Sequence, residues 1–212
     1  MKKNEWIDYV KLHVSKLDPQ RVFHRKMIEM AINVSYENLA YNTYQNVPYV
    51  LDTMCVTEEP TIQFDSVVDK HYVELDFEPI QLDRIGSGVV SIISPLGDYY
   101  FSPAHMNQVK HILRSEVNDF SDDIMFSVIG SKIYFYNLPA ELKDTAIRVE
   151  VIKPFIEFGG DDVVPIPAGQ TKVLLDMVLQ TLQMVTPEQS INNNTDTRYG
   201  NARSDKSEER SA

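Results

Sequence analysis

The sequence predicts an α+β fold, and three observations carry that expectation. The apolar residues repeat with a period near 3.6 up to about residue 46, with a period of 2 from about residue 60, and near 3.6 again from about residue 170. The stretch IMFSVI-GS-KIYFYN, residues 124–137, has the form of a hairpin closed by a two-residue turn. Beyond Thr186 the chain holds almost nothing apolar except Ile191 and Tyr199. The expected order is an N-terminal helical pair with a long second helix, a central antiparallel β-rich domain with one inserted helix, and a C-terminal helix with an extended polar tail. The corresponding boundaries are 1–48 for the helical region, 49–186 for the β-rich domain with its last helix, and 187–212 for the tail.

Residues 4–17 place Trp6, Tyr9, Val10, His13, Val14 and Leu17 on one helical stripe. Asp18 and Pro19 then read as an N-cap carboxylate followed by proline at the first helical position, where its missing N–H costs nothing. The second helix is therefore expected over 19–46, ending before Pro48. It carries two apolar rows, one of Phe23, Met27, Met30 and Val34 and one of Ile28, Ile32 and Leu39. A helix apolar on two sides packs between neighbours: the first helix, the β domain or another subunit. Near its end Tyr36, Tyr41 and Tyr44 offer rings that bury area while keeping a polar tip wet, and they are candidate partner-binding residues.

In YVELDF, Val73, Leu75 and Phe77 alternate with Glu74 and Asp76, as in a half-buried strand. GVVSIIS, 88–94, is apolar on both faces and reads as a central strand. Ser102 and Pro103 read as a helix start ahead of a stripe of Met106, Val109, Ile112, Leu113 and Val117. In the hairpin that follows, Gly130-Ser131 suits a type II′ turn, with glycine supplying the positive φ. AIRVEVI, 146–152, alternates and is expected to join the hairpin in one antiparallel sheet. FGGDDVVPIPAG then turns the chain into a helix over about 170–185, with Val173, Leu174, Met177, Val178, Thr181, Leu182 and Val185 on its apolar face.

Composition narrows the function. A net charge of −11 opposes binding nucleic acid by counterion release, yet an acidic wall lets DNA slide past without sticking. No run approaches 18 apolar residues, and the charged amino terminus MKKNEWIDYVKLHV lacks a signal-peptide core, so neither secretion nor a membrane span is expected. The single Cys55 lies in acidic DTMCVTEEP, which would raise a thiol's pKa, and reads as a small buried hydrophobe. The tail is too polar to offset its ordering entropy of ~1 to 2 kcal/mol per residue and is expected to need a partner to order it. Within it Ile191, Arg198, Tyr199 and Arg203 are the candidate contacts.

Chemistry has one candidate, the adjacent carboxylates of Asp161 and Asp162 in FGGDDVV. Hard oxygens of this kind coordinate Mg²⁺, but adjacent strand residues point oppositely, so a third carboxylate is needed. Glu150, Glu157 and Asp176 are the nearest, and each is expected on a solvated face. The pair reads instead as a strand-to-helix turn, with Gly159 and Gly160 allowing unusual backbone angles. His13, His24, His71, His105 and His111 show no metal spacing, and IGSGVV lacks the third glycine and the helix of a dinucleotide loop. No catalytic, cofactor-binding or metal-ligating residue is assigned.

Three features together resemble a known family: the order of helical pair, β centre and lone amphipathic helix with a polar extension; the passage IYFYNLPAELKDTAIRVEVIKPF; and the passage VPIPAGQTKVLLDMVLQTLQMVTPEQSINNNTD. They resemble a virion structural protein of crAss-like, short-tailed bacteriophages, most closely the neck ring proteins that connect portal to tail. The resemblance implies a non-enzymatic head-to-tail connector. Its subunits would form a homo-oligomeric ring of roughly twelve copies, stacked between portal and other neck or tail rings, with DNA passing through the lumen. It would be assembled in the host bacterial cytoplasm and reside in the virion, with no membrane partner and no cofactor. Other readings are a different virion component, such as a tail hub, tail-tube or ejected cargo protein, and a small metal-dependent enzyme using Asp161 and Asp162.

Overall fold

The structure, a computed structural model, describes residues 1–82, 88–95, 97–104 and 123–183. It is an α+β fold in which helices α1 (Lys3–Leu17), α2 (Arg25–Asn46) and α3 (Thr171–Thr181) pack beside two sheets. A three-stranded antiparallel sheet has the order β1 (Val56–Glu58), β8 (Arg148–Val151), β4 (Val89–Ile93). A five-stranded sheet has the order β2 (Gln63–Asp65), β3 (Lys70–Glu74), β7 (Lys132–Tyr136), β6 (Ile124–Ile129), β5 (Phe101–Pro103), antiparallel except for the parallel β5–β6 pair.

Two apolar cores hold these layers. In the helical core Trp6, Ile7, Val10 and Val14 of α1 meet Ile28, Ile32, Tyr36 and Leu39 of α2 and Leu174, Val178 and Leu179 of α3, with Phe155, Phe158 and Ile152 closing it. In the β core Val73, Ile133 and Phe135 of the larger sheet face Val89, Val149 and Val151 of the smaller. The smaller sheet reaches both cores, because Val56 packs against each of them. The last helix thus shares its core with the two amino-terminal helices.

The second helix starts six residues later than expected. Asp18 caps a turn instead of a helix: its Oδ1 accepts from the Gln20 amide at 3.1 Å and its carbonyl from the Arg21 amide at 3.1 Å. Aspartate followed by proline suits the first two positions of a β-turn as well as it suits a helix start. At 22 residues α2 is about 33 Å long.

Three strand expectations also change. GVVSIIS forms β4 at an edge of the smaller sheet, with a register shift between Val89 and Ser91, and is not a central strand. AIRVEVI forms β8, the centre of the smaller sheet, instead of joining the hairpin. The left-handed Asn137 (φ 60°) and Asp144 (φ 61°) bend the chain between β7 and β8, and a Thr61–Ala146 bridge receives it on the other layer. Ser102 and Pro103 lie in β5, where an edge strand tolerates proline, and do not start a helix. Met106, Val109, Ile112, Leu113 and Val117 lie outside the described residues.

The hairpin is as expected. Ile129 pairs with Lys132, and Gly130 has φ 59° while Ser131 keeps a negative φ, the signature that separates type II′ from I′. None of the helices among the described residues is long and apolar enough to cross a membrane.

Candidate partner-binding surface

The FGGDD turn closes back on the amino terminus. The first N–H groups of a helix lack partners within it; here Lys3 N donates to the Asp162 carbonyl and Asn4 N to the Gly160 carbonyl, both at 3.0 Å. A Lys2–Val163 bridge continues the contact. Asp161 lies 3.4 Å from Lys2 Nζ and is otherwise open to solvent, and Asp162 Oδ2 accepts from the Gly159 amide at 2.6 Å. Both carboxylates sit at the positive end of the α1 dipole, where anions are favoured.

The glycines serve close approach and not unusual angles, since neither is among the residues with positive φ. A Cβ on Gly160 would come within 2.5 Å of Asn4 Nδ2, and one on Gly159 within 3.0 Å of the Asp162 carboxylate. Among the described residues no three His, Cys, Asp or Glu side chains gather as a metal site would require. The turn is a helix cap and a joint.

The tyrosines separate. Tyr36 is fully buried, and its hydroxyl donates to the Pro165 carbonyl at 2.9 Å, so it is a core residue and offers no surface to a partner. Burial pushes its phenol above the ordinary range, with Cys55 beside it adding to the shift. Tyr44 is half-buried against the helical core, and Tyr41 is exposed. Ile191, Arg198, Tyr199 and Arg203 lie outside the described residues, as do Val185, His105 and His111. His13 packs on the Tyr9 ring and bonds the Tyr9 carbonyl, and His71 lies at a tilt against Phe64 within the larger sheet. Cys55 is half-buried, its Sγ 3.4 Å from the Leu51 carbonyl.

What the molecule presents outward is the second row of α2. Met27, Met30 and Val34 are exposed, Met30 at 55%, while Phe23 packs partly into the core. The row continues to Tyr41 and, at the other end, adjoins a groove of about 630 Å³ between α1 and the turn into α2. Leu12, Val22 and Phe23 give the groove apolar walls, and Lys11, Arg21 and Arg25 stand among its lining. Val22 is 88% exposed.

A second exposed apolar feature went unnoticed in the sequence: the β2–β3 turn, Ser66–Asp69, with Val67 at 91% exposure and Val68 and Phe64 also exposed. Two adjacent valines between aspartates, DSVVD, break the strand alternation around them, and that was the available signal.

No protein-family description matches the chain, and no curated protein matches it.

Proposed function

We propose that this protein is a non-enzymatic subunit of a homo-oligomeric ring in the neck of a short-tailed, crAss-like phage virion, connecting portal to tail and letting DNA pass. The observation that carries the reading is the outer row of α2. A helix that buries Ile28, Ile32, Tyr36 and Leu39 inside its own chain also leaves Met27, Met30, Val34 and Tyr41 in water. Met27, Met30 and Val34 follow one another along one face, with Tyr41 beyond the polar Glu37 and Asn38, and neighbouring subunits would cover this row. These side chains are 40–55% exposed, so covering them completely would gain roughly half of the ~1.5 to 3 kcal/mol that full burial of an exposed apolar side chain brings.

The acidic balance suits the same role, because a lumen that repels phosphate at every register lets a duplex move through it. The turn at Asp161 and Asp162 supports a structural role for those carboxylates, since their neighbours are a helix terminus and Lys2.

The reading is tested by imaging the purified protein alone and with its genomic neighbours, together with native mass spectrometry. Closed annular particles with portal or tail components are expected. A protein that stays monomeric at all concentrations and joins no such particle would sink it.

A further inference from the structure

We propose that the β2–β3 turn of one copy docks into the α1–α2 groove of the next, giving the head-to-tail contact from which the ring is built; this rests on the oligomeric reading above. Charge is the first argument. Residues 1–30 carry seven Lys or Arg and four Asp or Glu, net +3, whereas the remaining residues carry thirteen against twenty-seven, net −14. The groove lies in a net-basic stretch of an acidic chain, with Lys11, Arg21 and Arg25 around its apolar walls; Asp8 stands 3.7 Å from Lys11 and Glu29 3.4 Å from Arg25, both in surface pairs that a docking turn could share. The turn has the opposite character: the exposed Val67 and Val68 lie between Asp65 and Asp69, and Phe64 of the adjoining strand packs at a tilt against His71. An apolar contact surrounded by complementary charge is the anatomy of a specific interface.

Shape is the second argument. The turn is preorganised, because Asp65 Oδ1 accepts from the amides of Val67 at 2.9 Å and Val68 at 3.4 Å, so docking would cost little loop entropy. The groove, at about 630 Å³, has room for two valine side chains. The third argument is placement. The turn closes the edge of the five-stranded sheet and the groove belongs to the helical layer, and the two share no core. A contact between different patches on successive copies is heterologous, and such contacts close into rings when the rotation permits.

The test uses the full chain in two sets of variants, at exposed positions apart from the half-buried Cys55 replaced in one background, and reads mass by sedimentation velocity and native mass spectrometry. Lys11→Glu, Ser15→Glu and Arg21→Glu together take the groove lining from +3 to −2, while Ser66→Lys with Asp69→Asn takes residues 65–70 from −1 to +1 yet keeps the Asp65 cap and an asparagine at the left-handed position (φ 54°). Each variant alone is expected to assemble at least about tenfold more weakly than the wild type, and an equimolar mixture to recover assembly, because each reversed turn then meets a reversed groove. In a Cys55→Ala background, Val22→Cys with Val67→Cys should give on oxidation a ladder of covalent oligomers. Assembly of both charge variants at wild-type strength, or a ladder that stops at two copies, would overturn the contact while leaving the ring standing. A wild type that never assembles, with no cross-link, would overturn the ring and the contact together.

Discussion

Asn4 stands where a side chain on residue 160 would have to go: its amide donates to the Gly160 carbonyl at 3.0 Å, and a Cβ there would meet Nδ2 at 2.5 Å. Gly160→Ala is therefore expected to cost about 1 to 3 kcal/mol, the usual penalty of forced overpacking, by shifting Asn4 or the turn that caps α1. Gly159→Ala should cost less, because the contact it forces, 3.0 Å to the Asp162 carboxylate, needs a smaller shift than the 2.5 Å contact at residue 160. Asp161→Asn removes only a solvent-exposed ion pair with Lys2 and is expected to change stability by no more than ~0.5 kcal/mol. Chemical denaturation of the three variants checks the order, and an Asp161→Asn effect larger than that of Gly160→Ala would contradict the cap.

Lys3 makes a second tie at the same joint. Its ammonium, 7% exposed as a residue, donates to the carbonyls of Ile156 at 2.8 Å and Phe158 at 2.9 Å and lies 5.6 Å from the centre of the Phe155 ring. Lys3→Met keeps most of the stem but leaves two carbonyls short of a donor. A loss of roughly 1 to 3 kcal/mol is expected, with hydrogen exchange rising first in 156–164 and in the first turn of α1. Unchanged protection there would rule out Lys3 as the clamp.

How much of this was legible depended on whether the deciding contact was local. The hairpin was readable because Gly130-Ser131 and the alternation on either side determine it within fourteen residues. The inner face of α2 was readable from Ile28, Ile32 and Leu39, but not its start, since Asp18-Pro19 fits a turn and a cap equally well. The sheet assignment of β8 depends on Val56 and Val89, which lie far away in sequence, and no pattern inside AIRVEVI reports it. The same holds at the joint: FGGDD reads as a turn, but only Asn4, more than 150 residues distant, shows what a side chain at its second glycine would push against. Nothing local separates Tyr36 from Tyr41 and Tyr44; its burial, with the hydroxyl bonded to the distant Pro165 carbonyl, does.

Burial also makes Tyr36 sensitive to alkali. Its ordinary value is 10.0, and burial raises the folded-state value further. Above about pH 10 the unfolded chain therefore loses this proton while the folded chain retains it. The contribution is fully present below pH 10 and is lost as pH rises through the folded value. Tyr36→Phe should cost about 1 kcal/mol at neutral pH, for the bond to Pro165, and should flatten the decline in stability above pH 10. Denaturation midpoints measured at several pH values check both effects, and an equally steep alkaline decline in the variant would show that other groups cause it.

The two rows of α2 should separate stability from assembly. Ile32 is fully buried between α1 and α3, so Ile32→Ala is expected to cost about 2 to 5 kcal/mol through lost transfer energy and the cavity left behind. Met30, two residues away, faces water, and Met30→Glu should shift the monomer's stability by no more than ~0.5 kcal/mol. In an assembly the order reverses, because a carboxylate placed in an apolar contact must be desolvated without a partner. Met30→Glu should then fold normally and lower the assembled fraction about tenfold or more, as read by sedimentation velocity. A Met30→Glu protein that assembles like the wild type would show that this row is ordinary exposed surface and would remove the main support for the ring.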